Sequence, residues 1–365
     1  MASTERVESM EQKNNHNLRL YLVLVAVVMA GSIALGALRY WEGLRIQAED
    51  EQWRTSQSSQ GAAFAEISRV SDDGPEAFFK NEIQYQGKTY RKNTYIKAIL
   101  GLGIDRNGSM EGTVTPGSAG QSDTVALIAH DTVHDTLKLL MIPRDTMTEI
   151  IVTDLSGDEL AWDQNHLNLA FAYGDGQERS ISYARRAVSR MLGGLPVDGC
   201  IAYGADALAV ANDAVGGVTV QIDDPELAQK DPQLKLGETV RLSGEQAEIF
   251  LRYRNIDRPL TALERQERQK KYMEHFSQAV SDCTRKESGF AARLLDTMTP
   301  YLVTDMTKGD QLDLLLALIQ NGTALDDADI LTLPGEGVEG VNFDEYYMDQ
   351  EAAYEMILNL FYRVE

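Results

Sequence analysis

Hydrophobic and polar positions fall into three regimes along the chain. Residues 20–38 carry no charge, and Arg19 and Arg39 close the run at either end. At ~1.5 Å rise per residue, a helix of this length just crosses the ~30 Å of a bilayer's hydrocarbon. The run is apolar on every face, unlike a helix lying on a protein core. It exceeds the usual apolar core of a signal peptide, and no clear A-x-A site follows. An uncleaved transmembrane helix is therefore expected. Arg6, Lys13 and Arg19 favour a cytoplasmic tail over residues 1–19, although Arg39, Arg45 and Arg54 soften the contrast. The bulk of the chain would then lie outside the cell membrane. Residues 39–93 read as a juxtamembrane stalk of helical composition, with a Ser/Gln interruption and a Gly74-Pro75 break.

From residue 94 to 365 the periodicity alternates between strand and helix. Apolar runs at 96–104, 124–129 and 137–142 predict three strands, the last stopped by Pro143. The glycine- and serine-rich stretch between Asp105 and Asp123 predicts a loop, and HDTVHDT at 130–136 a turn. Helical spacing follows over 177–193, 203–213, 244–251, 262–281, 287–299 and 310–320. Gly216-Gly217 before VTVQI predicts a turn into a further strand. The fold class is thus α/β: a mixed central sheet flanked by helices, preceded by one transmembrane helix.

This pattern converges certain polar residues. The second and third strands form a hairpin, so the start of one lies beside the end of the other. Asp123 precedes the first of them and Arg144 follows the second, at nearly equal distance from the turn. They should meet at one sheet edge. If the opening strand runs parallel to the third, Asp105 joins them there. Converging carboxylates repel unless a cation or proton lies between them. With phosphate nearby, Asp105 and Asp123 suit Mg²⁺ (or Mn²⁺), which commonly takes one or two carboxylates plus phosphate oxygens and water. The plainer alternative is an Asp in a turn and an Asp capping a loop.

Charge sharpens the picture. The formal net charge is -22, which disfavours nucleic acid and anionic surfaces as partners. Yet five arginines fall within the seventeen residues 252–268. Arg252 and Arg254 share a face only in extended chain. Arg265, Arg268 and Gln269 share one face of a helix. A solvated face with pairs such as Glu264–Arg268 would explain part of this. A bound pyrophosphate explains more, because guanidinium forks match phosphate oxygens bidentately. The two cysteines, Cys200 and Cys283, lack metal-ligand spacing, and the sequence leaves their pairing open. His130 and His134 fall in the expected turn and His16 in the tail, so none sits in a nucleophile motif.

Several segments resemble, in order, the LytR-CpsA-Psr domain of Gram-positive bacteria. They are GLGID at 101–105, SDT at 122–124, IPRDT at 142–146, NLAFAYGDG at 168–176, LGGLPVDGCIAY at 192–203, DAVGGVTVQI at 213–222, LSGEQAEIFLRYR at 242–254 and ERQERQ at 264–269. The resemblance spans roughly residues 94–365 and implies an extracytoplasmic catalytic domain. It implies a donor made of polyprenyl pyrophosphate linked to a teichoic acid or capsular glycan, with the lipid chain in an apolar tunnel. It implies peptidoglycan as acceptor. By matching positions, Asp105 and Asp123 would be the Mg²⁺-associated aspartates. Arg144, Arg252, Arg254, Arg265 and Arg268, with Gln269, would bind the pyrophosphate. Family members often carry an Asp where this chain has Ala262. Asp257, in the neighbouring loop, is the candidate replacement as a base. Two other readings stand beside this one: a non-catalytic polyprenyl-phosphate sensor, and a lipid pyrophosphatase whose acceptor is water.

Overall fold

The structure is a computed structural model. It describes residues 82–364 apart from 155, 320–324, 327 and 341–342. The expected tail and transmembrane helix, and most of the stalk, lie outside the described residues. Among those described, no helix is long and apolar enough to cross a membrane.

The chain enters through a hairpin, β1 (Glu82–Tyr85) and β2 (Lys88–Lys92), at residues the sequence assigns to the stalk. The central sheet then opens with β3 (Ile96–Ile104), β4 (Ser122–Asp131) and β5 (Thr136–Ile142). Each is antiparallel to the next, so β3 and β5 run parallel, as the convergence of Asp105 with Asp123 and Arg144 requires. His130 is a correction to the sequence reading: it lies within β4, one residue before its end, as a buried residue instead of entering the turn. A second hairpin follows, β6 (Met147–Thr153) with β7 (Glu159–His166), and then helix α1 (Glu178–Met191). Strand β8 (Gly199–Gly204) returns beside β3 in parallel. Helix α2 (Asp206–Ala214), the short pair β9 (Thr219–Gln221) and β10 (Thr239–Arg241), and α3 (Gly244–Arg252) lead to the long α4 (Thr261–Lys286).

Helix α5 (Phe290–Met298), β11 (Leu302–Thr304), α6 (Lys308–Ala317) and β12 (Ile330–Thr332) complete the central sheet, whose order is β11-β8-β3-β4-β5-β12. Strands β13 (Gly335–Val338) and β14 (Glu345–Met348) form a third hairpin. Helix α7 (Gln350–Phe361) and β15 (Tyr362–Val364) end the chain, with β15 pairing on β2.

Period-two alternation divides the sheet's residues between two cores. Leu100, Leu102 and Ile104 of β3, Val125 and Leu127 of β4, and Leu140 and Ile142 of β5 face α1 and α7. Ile99, Ala126, Leu139 and Met141 face the opposite side, against Leu314 and Ala317 of α6. Burying a side chain such as Leu100 or Leu140 contributes roughly 1.5–3 kcal/mol, and both are fully buried. A separate core joins β9, β10, α3 and α4 through Val220, Phe250 and Tyr272. Cys200 and Cys283 fall in different cores and are unpaired.

Candidate functional site at the β3–β4–β5 edge

Where β4 begins, the register slips. Gly103 stands opposite Thr124 and Ile104 opposite Ser122, so Asp123 is the extra residue of a bulge. Bulges re-aim side chains and occur beside active sites. Gly103 is required here by close approach: a Cβ would stand 2.9 Å from the Tyr203 hydroxyl and 3.1 Å from Thr124 Cβ.

The re-aimed carboxylate of Asp123 meets two guanidiniums. Arg144, just after β5, donates through Nη1 to Asp123 Oδ1, and through Nε to Asp145 Oδ1 at 3.0 Å. Arg265, one turn into α4, places Nη1 3.3 Å from Asp123 Oδ2. Its Nη2 donates to the Asp123 carbonyl at 3.1 Å. Burial raises the Asp123 carboxyl, but the charges of Arg265 and Arg144 outweigh it and hold the group below its ordinary value. Arg265 is 3% exposed. Burial, opposed by Asp123 and reinforced by the nearby charges of Arg144 and Arg254, pulls it down to about 10.

The loop after α3 supplies the next arginines. A capping box fixes the start of that helix: Ser243 Oγ accepts from the Gln246 N–H, and Gln246 Oε1 accepts from the Ser243 N–H. Such a cap contributes ~1 kcal/mol. Arg252 ends the helix and donates to Glu248 Oε1 at 2.5 Å and Asn107 Oδ1 at 3.4 Å, which sets it against the loop after Asp105. Tyr253 is extended, turning Arg254 out of the helix. Arg254 is half-buried and makes no hydrogen bond or ion pair with a described residue.

Arg268 goes elsewhere. Its guanidinium donates to the carbonyls of Phe250 and Tyr253 and, at 2.7 Å, to Asp224 Oδ2. It ties α4 to the end of α3 and is not brought to Asp123. Gln269 Nε2 donates to the Leu251 carbonyl at 3.2 Å, at the border of the site. Asp257 is exposed, its N–H held by Asn255 Oδ1.

Asp105 follows β3, and its Oδ1 accepts from the Gln121 N–H at 2.5 Å. Its Oδ2 has no partner among the described residues. No cluster of three or more His, Cys, Asp or Glu side chains able to hold a metal occurs among the described residues. Asp105 and Asp123 alone would leave most of a Mg²⁺ shell to phosphate oxygens and water.

Beside Arg144 opens a narrow cleft lined by Asp123, Arg144, Ala262, Gln266, Gln269 and Asp344, among others. Its volume of about 20 Å³ is room for roughly one water. The sequence did not bring Gln266 or Asp344 to this place. Asp344 arrives from the β13–β14 hairpin, whose strands of four residues are too short to carry a periodic signal.

A mixed α/β sheet whose strand ends gather Arg144 and Arg265 around a bulged Asp123 defines an α/β protein with a charged site at one edge of its sheet. The LytR_cpsA_psr family model matches residues 57–361, and the chain belongs to that family. Among similar proteins is the polyisoprenyl-teichoic acid–peptidoglycan teichoic acid transferase TagU of Bacillus mycoides. It is 27% identical over 267 residues, covering 72% of this chain and 76% of the relative. A Bacillus anthracis TagU is 26% identical, covering 72% and 77%. Solved structures share the fold. The Streptococcus agalactiae protein gbs0355 matches with a TM-score of 0.56 at 20% identity, over 73% of this chain and 87% of that one. Bacillus subtilis TagV matches with a TM-score of 0.54 at 20% identity, over 73% and 96%. A TagT structure bound to LI-WTA matches with a TM-score of 0.53 at 20% identity, over 80% and 93%.

Proposed function

We propose that this chain transfers a wall polymer from a polyprenyl-pyrophosphate carrier to a peptidoglycan hydroxyl outside the cell membrane, releasing polyprenyl phosphate. The polymer is an anionic glycan, a teichoic acid or capsular polysaccharide. The uncharged run at 20–38 would keep the domain at the membrane where such a donor resides. TagU relatives, named for teichoic acid transfer to peptidoglycan, support the reaction class.

The observation that carries this reading is Arg254. In a chain of net charge -22, this half-buried guanidinium has no ion pair with a described residue and lies near enough to Arg265 for their charges to oppose each other. Two neighbouring guanidiniums repel each other modestly, and an anion between them turns that repulsion into attraction. The cleft is too small to enclose a diphosphate, so the diphosphate sits at its mouth, between Arg144 and the Arg252–Arg254 loop. Arg144 and Arg265 are fixed by Asp123, so their free N–H groups are preorganised for the charge that builds on phosphoryl oxygens. Arg252 closes the other side from the end of α3. Arg268 and Gln269 hold the α3–α4 junction so that the arginine loop keeps its place. Mg²⁺ (or Mn²⁺) held by Asp105 and Asp123 would supply charge neutralisation at the phosphates.

In vitro transfer tests the reading. Purified protein, a polyprenyl-pyrophosphate-linked glycan and peptidoglycan should yield polymer covalently attached to peptidoglycan. Free polymer phosphate as the only product would make water the acceptor. Donor binding without turnover would make the chain a sensor.

A further inference from the structure

Transfer to a hydroxyl requires a group that takes its proton, and the cleft offers few candidates. Four carboxylates border it: Asp123, Asp145, Asp344 and Glu345. Asp123 is paired with both Arg144 and Arg265, and Asp145 with Arg144. A carboxylate so matched is a poor proton acceptor. Glu345 Oε2 accepts from the hydroxyl of the exposed Tyr347 at 2.6 Å, which draws that carboxylate toward the hairpin's own side chains. Asp344 remains. Its Oδ2 accepts from the Leu260 N–H at 2.7 Å, and it forms no ion pair with a described residue.

The position of Asp344 is fixed from two sides. The Leu260 amide pins it to the first turn of α4, where Leu260 adopts a left-handed φ of 59°. Next along the chain but one, the Tyr346 N–H donates to the Asp145 carbonyl at 2.9 Å. The hairpin is thereby held against the residue that follows Arg144. The single Leu260 bond to Oδ2 leaves Oδ1 with free lone pairs. Ala262, one step into α4, leaves room beside it in the same cleft.

We propose that Asp344 is the general base of the transfer, an inference that rests on the function proposed above. Asp344 Oδ1 accepts the proton of the peptidoglycan hydroxyl as its oxygen bonds to the phosphorus nearer the polymer sugar. The bond from that phosphorus to the bridging oxygen breaks, and polyprenyl phosphate leaves with the electron pair. Asp344 then passes the proton to water. The role falls to Asp344 and not to Asp257, which is exposed in the preceding loop and does not border the cleft.

Asp344→Asn is the decisive variant, because the amide oxygen can still accept the Leu260 N–H while the basic charge is lost. Transfer is measured with a polyprenyl-pyrophosphate-linked glycan and peptidoglycan, alongside donor binding and thermal melting. The expected result is a fall in kcat of about 100-fold or more, with donor affinity and melting temperature unchanged. Asp257→Asn should transfer at the wild-type rate. If Asp344→Asn does not fold, Asp344→Ser, whose hydroxyl can also accept from Leu260, gives the same readout. Wild-type kcat in either variant overturns the assignment, as does an equal loss of donor affinity and rate. An inactive wild-type protein would instead contradict the transferase reading itself.

Discussion

Arg265 Nη1 lies 3.3 Å from Asp123 Oδ2, although 142 positions separate the two residues. The pair fastens the first turns of α4 to the bulge at the start of β4. With Arg265 only 4% exposed in its side chain, removing its partner leaves a buried charge. Asp123→Asn should therefore lower unfolding free energy by ~3 kcal/mol. Urea denaturation of the soluble domain measures this, and an unchanged midpoint would contradict it.

Arg254 and Arg268 should part company under substitution. Arg268→Ala leaves Asp224 and the Phe250 and Tyr253 carbonyls without their donor, and should destabilise by ~3 kcal/mol. Arg254→Ala breaks no bond with a described residue and should change stability by less than about 0.5 kcal/mol. It should nonetheless abolish transfer. Arg254→Lys should also be impaired, because an ammonium lacks the planar fork. Melting curves paired with transfer assays separate the two roles.

His130 makes stability depend on pH. It lies one residue before the end of β4 at 5% exposure, with Nε2 unpartnered among the described residues. Burial, aided by the charge of Lys97, lowers its protonation below the ordinary value of 6.5, against the opposing pull of Asp135, Asp313 and Asp131. The unfolded chain then binds the proton more readily than the folded one. This contribution is intact above pH ~6.5 and is lost as pH falls from there toward the lower folded value. His130→Leu, which keeps an apolar body near Ile99 and Met306, should flatten the slope of melting temperature between pH ~7 and ~5. An unaltered slope would place the titration elsewhere.

The metal reading makes a separate claim. With Asp123 engaged by two arginines, Mg²⁺ should bind weakly alone and gain affinity with the diphosphate. Calorimetry with a short polyprenyl diphosphate should show tighter binding when Mg²⁺ is present. Asp105→Asn should remove that enhancement while leaving metal-free affinity intact. Equal enhancement in the variant would exclude Asp105 as a ligand.

Much of this site was legible because β3, β4 and β5 are short apolar runs bounded by polar residues, and one hairpin joins two of them. That alone brought Asp123 to Arg144. The bulge was not legible, since no glycine or proline marks it and Asp123 continues the polar start of a strand. Arg265 and Arg268 looked equivalent because residues three apart share a helix face. The ~60° between them on a helix is enough to send one to the sheet edge and the other under α3. Asp344 left no trace, because β13 and β14 are only four residues each, and β13 carries glycine at two of its four positions. Strand β8 was hidden likewise, its small residues Gly199, Cys200 and Ala202 giving no strong alternation.

The most direct test is a crystal structure of the domain soaked with a short-chain polyprenyl diphosphate. Phosphate oxygens should lie within ~3 Å of the Arg254 and Arg144 guanidiniums, at the mouth of the cleft beside Asp123. A diphosphate found at the opposite end of the sheet, with Arg254 still unliganded, would contradict the account.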